Sequence, residues 1–559
     1  MNFGFVKNRA PISFPFVYFY TFGLYLIDFK ICIFAHTNNL SMKKHLTTSV
    51  YTFKDIIGYN YLYVDKTEYL YKMVSNPKGI YFLSRPRRFG KSLTLSTFKS
   101  IFQGEKELFK GLYIYDKPFD WKKYPIIHLS LNRMRAKTAD ELEENLIIAV
   151  DRIAKGYEIK LETKRSYQKF EELIFELSKI ERVVVLIDEY DKPLLDNVNN
   201  KTERLEIKDT LKSFYSVIKA NDEFLRFVFI TGVSKFSKVS VFSELNNLDD
   251  LTMNSKYGTA LGFTQEEVDK YFGKSIKNIA KKQGVAYKTL KTKLRNTYNG
   301  YRFSDENRTV YNPVSLTKFV MEEKIKHYWF ETGTPAFLLE LMKENDYNLM
   351  NLESLKLNAA AFSTYEIENL RVEPLLFQTG YLTIKKYTEE YNEYTLSYPN
   401  TEVKSAFLNY LTDFYTPLRK EEAPQYHNEL IRAILQNDIA KFIRILKIFF
   451  ANIEYDLHID NEKYYQTIFY IVFTLLGIKI STEVKTNTGR IDAVIETDTH
   501  IYILEFKLFD TAKNALKQIE DKQYFERYLL SKKQIVLIGV GFDKNTRNIK
   551  DDYELKTKV

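Results

Sequence analysis

The chain has 559 residues, too many for a single hydrophobic core, and its length predicts about two to four domains. With 45% hydrophobic and 28% charged residues, it has the composition of a globular protein rather than a disordered one. Its net charge of +10 permits an anionic partner such as nucleic acid but does not establish one. The single cysteine, Cys32, excludes an intrachain disulfide framework and a cysteine zinc site, and it fits a reducing cytoplasm.

The first 41 residues form an apolar extension. Residues 12–27 carry no charge before Asp28, but this run is slightly short for a membrane span. Lys7 and Arg9 precede it as in a signal peptide, yet no small-residue cleavage site follows. A membrane anchor, a poor signal peptide and an extension outside the fold therefore stay open. We favour the extension, because residues 41–44 (SMKK) resemble a natural start.

Residues 42–263 are predicted to form a parallel α/β domain. Continuous apolar runs predict strands, a pattern typical of parallel sheets, at residues 80–84, 125–131, 182–188 and 225–232, with a shorter strand-like run at 61–67. Helical periodicity occurs at residues 93–102, 140–155, 166–180 and 210–220. Thr67 or Asp65 is expected to cap a further helix. Strands alternating with helices favour a sheet covered on both faces.

The remaining chain is predicted to form a mainly helical middle region at residues 264–450 and a last α/β domain at 451–559. Thr264 is expected to cap the first helix of the middle region, and residues 400–450 are again helical. A hairpin is predicted from residues 375–386 and 391–397. From residue 461 the predicted order is helix, three strands, helix and strand, with the second helix at 512–530.

A phosphate-binding loop is predicted at residues 85–92 (RPRRFGKS), between a strand and a helix. Its backbone N–H groups and the following helix N-terminus would bind phosphates. Lys91 would reach the β- and γ-phosphates, and Ser92 would bind Mg²⁺ through its hydroxyl. The predicted nucleotide-binding residues of this segment are Arg88, Phe89, Gly90, Lys91, Ser92 and Leu93.

Arginines make this loop unusual. Arg85 stands where the standard pattern has its first glycine, which weakens the motif. Two interpretations of Arg85, Arg87 and Arg88 stay open: they neutralise phosphates, or they form a solvated basic turn.

A second half of the nucleotide site is predicted at residues 183–189 (VVVLIDE), an apolar strand ending in two acids, the Walker B form. Asp188 would hold Mg²⁺ through water, and Glu189 would orient or deprotonate the attacking water. Ser234, just after the next strand, is placed to sense the γ-phosphate. A buried strand with exposed acids at its end is the alternative, but the two halves together predict ATP binding.

Several segments resemble the AAA-ATPase-like family common in anaerobic bacteria. They are YVDKT (63–67), RPRRFGKSL (85–93), LIDEYDKPL (186–194) and FITGVSKF (229–236), with NGYRF (299–303), YNP (311–313) and TGTP (332–335) similar to its downstream region. The resemblance covers roughly residues 45–555 and implies an AAA-like ATPase joined to a C-terminal PD-(D/E)XK nuclease-like domain. The arginine at the first glycine position is itself typical of that family.

A metal-dependent nuclease-like site is predicted from Asp492 on one strand and Glu505-Phe506-Lys507 on the next. Glu505 and Lys507 share a face because strand side chains alternate, and Asp492 would lie alongside on the adjacent strand. Asp492 and Glu505 would hold Mg²⁺ or Mn²⁺, and Lys507 would position the attacking water. The resemblance implies the same roles. A surface ion pair across a hairpin is the alternative.

Weaker candidates surround this site. Glu462 would add a metal contact from a preceding helix. Gln518 resembles the accessory glutamine of some members of the nuclease superfamily, with Tyr524 beside it. Three lysines of the same helix either contact phosphates or form a solvated face: Lys513, Lys517 and Lys522.

The sequence thus predicts a cytoplasmic ATPase whose ATP·Mg²⁺ cycle controls a nuclease-like domain acting on nucleic acid. The seven histidines lack metal-ligand spacing, and no Gly-x-Ser-x-Gly elbow is present. An ATP-dependent switch that binds nucleic acid or a partner without cleaving is the alternative, and a membrane-tethered ATPase requires residues 12–27 to be retained. A homo-oligomer stays open, since ATPases of this type often take an arginine from a neighbour.

Overall fold

The computed structural model contains one compact unit that runs from His45 to Val559. The described residues are 44–235, 242, 245, 247–329, 338–339, 341–342, 347, 352, 354–363, 371–415, 423–451, 479–485, 490–508, 510–543 and 548–558. The apolar extension, including residues 12–27, lies outside them. Within these ranges, no helix is both long and apolar enough to cross a bilayer.

The first sheet is parallel and has the order β2-β3-β4-β1-β5 within the described residues. Its strands are β1 Gly79–Ser84, β2 Ile126–Ser130, β3 Val183–Asp188, β4 Leu225–Gly232 and β5 Asp249–Asp250. Every residue of β3 and β4 is buried, as their continuous apolar sequence requires of strands covered on both faces. The strands predicted at 80–84, 125–131, 182–188 and 225–232 are confirmed, and β5 is an addition.

Helices cover this sheet. They are α1 Phe53–Gly58, α2 Thr67–Val74, α3 Lys91–Phe102, α4 Ala139–Gly156, α5 Ser166–Ser178, α6 Lys192–Asp196 and α7 Lys201–Ala220. The short strand predicted at 61–67 is wrong, because the pairing described there is a single isolated bridge from Tyr61 to His45. Asp65 instead turns the chain into α2 by accepting hydrogen bonds from the Thr67 amide (2.8 Å) and hydroxyl (2.7 Å).

The middle region is mainly helical, as predicted. Its elements are α8 Gln265–Lys282, α9 Tyr287–Tyr298, α10 Pro313–Glu322, β6 Leu355–Asn358, α11 Ala359–Ser363, α12 Val372–Thr379, β7 Thr383–Thr388, β8 Glu393–Ser397, α13 Thr401–Tyr415, α14 Ala423–Leu435 and α15 Ile439–Ala451. Thr264 caps α8 in a capping box with Glu267, as its sequence indicates.

The hairpin of the middle region begins later than predicted. Residues 375–379 belong to α12, since a short apolar run fits a buried helix as well as a strand. Gly380, with φ of 90°, ends that helix in the left-handed conformation. The hairpin is therefore β7–β8, and β6 extends it to a sheet of order β6-β8-β7.

The C-terminal sheet is mixed. Its elements are β9 Lys479–Lys485, β10 Arg490–Glu496, β11 His500–Leu508, α16 Ala512–Asp521, β12 Gln534–Phe542 and β13 Ile549–Lys558, with strand order β13-β12-β11-β10-β9. Only the β11–β12 pair is parallel among these described strands. The helix predicted to reach residue 530 ends at Asp521. Two residues later, Gln523 has a φ of 50°, which is not a helical conformation. β13 was not predicted, and the helix expected from residue 461 lies outside the described residues.

Two hydrophobic cores give the C-terminal sheet two different faces. Tyr502, Leu504 and Phe506 point into the large core that also contains the first sheet and the middle region. Ile501 and Ile503 point to the opposite face, into a smaller core with Ile519 of α16. By strand alternation, Glu505 and Lys507 continue this second face beyond its apolar part. The face under α16 therefore carries the polar residues.

Candidate functional sites

The predicted phosphate-binding loop lies at the carboxyl ends of the central strands, where open α/β sheets bind their ligands. Gly90 has a φ of 92° and precedes α3, which exposes the amides of that helix start. The Lys91 ammonium is buried and donates hydrogen bonds to the carbonyl oxygens of Arg85 (2.9 Å) and Pro86 (3.0 Å). Burial lowers the pKa of Lys91, and Asp188 opposes that shift.

Ser92 and Asp188 join the two predicted halves of the site. The Ser92 hydroxyl donates to Asp188 Oδ2 at 2.6 Å, although β4 separates β1, which leads into the loop, from β3 in the sheet. Asp188 is only 6% exposed, and its Oδ1 has no hydrogen-bond partner in the part of the chain that the structure describes. A hydroxyl and an incompletely bonded carboxylate are oxygen donors of the kind that Mg²⁺ prefers, so these residues fit that ion.

Glu189 follows directly in a strained turn. Its φ of 52° lies in the left-handed region, which costs a non-glycine residue free energy and is found at functional sites. Burial raises the pKa of the Glu189 carboxyl, while Lys91 lowers it. The turn is held to β4 by the Tyr190 amide, which donates to the Thr231 carbonyl at 3.1 Å. Glu189 is thus fixed near the Lys91 ammonium.

Ser234 lies at the same sheet edge, but its hydroxyl is bonded to a residue that sequence reasoning missed. It donates to Asp191 Oδ2 at 2.5 Å, and the Ser234 and Val233 amides donate to the same oxygen at 2.6 and 3.0 Å. Asp191 is 1% exposed, and burial raises its pKa. The signal available in the sequence was a third acid shortly after Asp188. In the structure, a Cβ on Gly232 would lie 2.4 Å from Asp191 Oδ1.

Arg85 fits neither of the two interpretations given to the loop arginines. Its side chain is 1% exposed and donates to the carbonyl oxygens of Ser84 (2.8 Å), Thr252 (2.8 Å) and Tyr257 (3.0 Å). Its guanidinium lies 4.3 Å from the ring centre of Phe303. Burial lowers the pKa of Arg85 to about 9. Arg85 therefore ties the end of β1 to the segment after β5.

The other predicted loop residues differ in exposure. Phe89 is buried edge-to-face against Tyr301 and Phe303 of the middle region, with ring centres 4.8 and 5.4 Å away. Arg88 is exposed with a φ of 70°, and Leu93 is half-buried against the large core. The Phe89 side chain thus anchors the loop, and only its backbone is available to a nucleotide.

The nuclease-like residues meet on the polar face under α16. Ala493 pairs with Leu504, which places Asp492 beside Glu505 at the next position of the antiparallel ladder. Asp492 Oδ2 accepts a hydrogen bond from the Phe506 amide at 2.8 Å. Glu505 is 2% exposed, and Gln518 of α16 donates to its Oε1. Two carboxylates and Lys507 are therefore gathered on one face, and the carboxylate oxygens are donors of the kind that divalent metals prefer.

Two glycines that sequence reasoning missed bring α16 onto this site. Gly539 pairs with Glu505 in the parallel β11–β12 ladder, and Gly541 pairs with Lys507. A Cβ on Gly539 would lie 2.2 Å from the Ala512 carbonyl, and one on Gly541 would lie 2.8 Å from that of Asp510. The absent side chains let the helix backbone approach the sheet, which sets Gln518 over Glu505.

The remaining candidates separate into distinct environments. Tyr524 is buried in the small core rather than beside the carboxylates. Glu462 lies outside the described residues. No group of three or more His, Cys, Asp or Glu suited to a metal occurs within the described ranges, where the carboxylates predicted to bind metal are Asp492 and Glu505. The three lysines proposed to contact phosphates are exposed: Lys513, Lys517 and Lys522.

Comparisons with known proteins follow this architecture. Residues 47–242 match the family described as "Predicted AAA-ATPase", and residues 460–552 match the PD-(D/E)XK nuclease superfamily. The chain is 36% identical over 522 residues to an "Uncharacterized protein in vnfD 5'region" of Azotobacter chroococcum mcd 1, covering 91% of this chain and 98% of that relative. The protein therefore belongs to the AAA-ATPase-like family and carries a C-terminal domain of the PD-(D/E)XK nuclease superfamily.

Proposed function

We propose that the N-terminal part of the fold hydrolyses ATP. The observation that carries this proposal is the Ser92–Asp188 hydrogen bond of 2.6 Å, which joins a phosphate-binding loop to an acidic strand end with one oxygen still unbonded. Lys91 would exchange the loop carbonyls for the β- and γ-phosphates of ATP. Bound Mg²⁺ would neutralise phosphate charge next to Ser92 and Asp188. Glu189 would accept the proton of the attacking water.

The test is ATP hydrolysis by the protein with Mg²⁺, beside two variants. Lys91→Ala should lose ATP binding, because its ammonium is the loop cation expected to reach the β- and γ-phosphates. Glu189→Gln should bind ATP and lose hydrolysis by about 10²-fold or more, since the amide cannot take a proton. Hydrolysis that persists in both variants would refute the site. The exposed Arg182→Ala, at the opposite end of β3, serves as the control.

The second proposal is that the C-terminal domain cleaves phosphodiester bonds of nucleic acid with Mg²⁺ or Mn²⁺. The adjacent Asp492 and Glu505, with Lys507 on the same face, support it. Such a metal would polarise the phosphate and lower the pKa of an attacking water. Lys507 would orient that water, and Gln518 would hold the Glu505 carboxylate in place. The exposed lysines on and just after α16 would contact the phosphate backbone.

Cleavage of labelled single- and double-stranded DNA and RNA tests this activity. We expect cleavage with Mg²⁺ or Mn²⁺ that is lost in Glu505→Ala and in Lys507→Ala. Metal binding measured by calorimetry should be weakened in Glu505→Ala. Intact ATPase activity without cleavage of any of these substrates would favour the alternative, an ATP-dependent switch that binds nucleic acid or a partner without cutting.

Control of cleavage by ATP is the third part of the proposal. The C-terminal sheet shares one hydrophobic core with the first sheet and the middle region, which gives a physical connection between them. If the two sites are coupled, Lys91→Ala should change cleavage in the presence of ATP. Equal cleavage by wild type and Lys91→Ala, with and without ATP, would refute the coupling but neither activity.

A further inference from the structure

The three arginines of the phosphate-binding loop have different environments. Arg85 is turned inward onto backbone carbonyls, and Arg88 is exposed. Arg87, which lies between them in the sequence, is half-buried. In the described part of the chain, no hydrogen bond or ion pair holds its guanidinium, whereas the buried Arg85 and Lys91 are both hydrogen-bonded. Arg87 is thus the loop cation whose charge is sheltered from solvent yet still available to a ligand.

The loop places Arg87 next to the reacting groups. The Lys91 ammonium bonds the carbonyl of Pro86, the residue directly before Arg87, so the Arg87 peptide adjoins that ammonium. Pro86 is itself packed on the middle region, because a Cβ on Gly380 would lie 2.8 Å from it. This contact fixes the path of the loop at that point.

Electrostatics agree with this position. Burial is the main influence on the pKa of Lys91 and of Glu189, and the positive charge of Arg87 lowers both. Asp188, Glu189 and Asp191 also act on Lys91, so three carboxylates share the site with that single buried ammonium. A second cation at Arg87 would balance the negative charge that a nucleotide triphosphate adds.

We propose that Arg87 is a catalytic residue of the ATPase, whose guanidinium binds the γ-phosphate and stabilises its charge during transfer. In that step water forms the new O–P bond, the bond to the β-phosphate oxygen breaks, and the water proton passes to Glu189. ADP and phosphate are the products. A guanidinium aimed at the charge of the transferring group typically contributes about 10³-fold or more to the rate. The inference rests on the proposed ATPase function.

One consequence concerns assembly. Because Arg87 belongs to the same chain as Lys91 and Glu189, the site needs no arginine from a neighbouring subunit. The rate of ATP hydrolysis per chain should therefore stay constant as the protein is diluted.

The decisive variant is Arg87→Ala in the full chain. We expect kcat to fall about 10³-fold while the Kd for ATP, measured by calorimetry with Mg²⁺, changes less than about tenfold. Binding of ADP with aluminium fluoride, which mimics the transferring phosphoryl group, should be lost. Arg87→Lys should recover part of kcat, since it keeps the charge without the planar fork. Arg182→Ala is the matched control.

Each outcome has a defined meaning. A kcat of Arg87→Ala within threefold of the wild type would overturn the role of Arg87 and leave the proposed ATPase intact. A wild-type rate per chain that rises with protein concentration would overturn the conclusion that the site needs no arginine from a neighbouring subunit. Absence of ATP binding and hydrolysis in the wild type would overturn the proposed ATPase and this inference together. The melting temperature of Arg87→Ala should match that of the wild type, because its guanidinium makes no ion pair or hydrogen bond among the described residues.

Discussion

The two candidate sites are built in different ways. At the nucleotide site, the contributing residues lie at or just beyond the carboxyl ends of β1, β3 and β4, and turns bring them together. At the nuclease-like site, Asp492, Glu505 and Lys507 belong to the strands themselves, and α16 lies across them. The first site therefore depends on turn conformation, and the second depends on strand register and on how closely one helix approaches the sheet.

This difference identifies the residues at which a substitution would disturb the geometry of each site. Turn-based geometry is stored in unusual backbone conformations, such as φ of 52° at Glu189, and in the hydrogen bonds that hold them. Register-based geometry is stored in cross-strand pairing and in positions where a side chain cannot fit. Small substitutions next to either site should therefore damage that site and leave ligand binding at the other site intact.

Gly539→Ala should have the largest effect, and it should fall on the nuclease-like site. The added Cβ would meet backbone atoms, the Ala512 carbonyl at 2.2 Å and the Leu516 amide nitrogen at 2.6 Å, which no side-chain rotation can relieve. We expect about 3 kcal/mol of destabilisation in chemical unfolding, and loss of cleavage as Gln518 leaves Glu505.

Gly541→Ala provides the graded comparison. Its Cβ would lie 2.8 Å from the Asp510 carbonyl, a smaller clash, so the loss of stability should be smaller. ATP hydrolysis should persist in both variants. Equal cleavage by Gly539→Ala and the wild type would contradict the role given to helix approach.

Gly232→Ala should damage the nucleotide site instead. Its Cβ would lie 2.4 Å from Asp191 Oδ1 and 2.6 Å from the buried Tyr190 ring, both of which are held by hydrogen bonds. We expect about 2 kcal/mol of destabilisation and a loss of ATP hydrolysis, with metal binding by the C-terminal domain unchanged.

Gly156→Ala is the matched control for Gly232→Ala. No atom lies within 4 Å of its added Cβ at the end of α4, so stability should stay equal or rise by up to about 1 kcal/mol. A Gly232→Ala protein with normal ATPase activity would show that the site tolerates displacement of Asp191.

The sequence predicted the strands of the first sheet because their apolar runs are continuous, and it predicted the Asp492–Glu505–Lys507 face because side chains alternate along a strand. It could not predict contacts between turns. The bond between Asp191 and Ser234 exists only because β3 and β4 are neighbours. Arg85 turns inward because the fold brings the carbonyls of Thr252 and Tyr257, which are distant in sequence, within hydrogen-bond reach. Gly539 carried no signal until α16 was placed on the sheet.

Asp191→Asn tests the turn without adding volume. The carboxylate accepts from two amides and one hydroxyl, and an amide group would turn an N–H toward one of those donors. We expect about 1.5 kcal/mol of destabilisation and a lower kcat for ATP with a smaller change in KM. Asp196→Asn, on the exposed end of α6, should change neither quantity. An unchanged kcat would mean that Glu189 keeps its position without this bond.

Thr511→Ala should have the smallest effect. It tests the nuclease-like site, as Asp191→Asn tests the nucleotide site. Thr511 caps α16 by accepting a hydrogen bond from the Asn514 amide at 3.2 Å, so its loss should cost about 1 kcal/mol. Because α16 also carries Gln518, fraying of its first turn should weaken metal binding at Glu505 modestly. Thr138→Ala removes the equivalent cap of α4, far from the carboxylates, and should cost similar stability without that change. If both variants bind metal with the affinity of the wild type, the helix positions Gln518 through its packing on Gly539 rather than through its capped first turn.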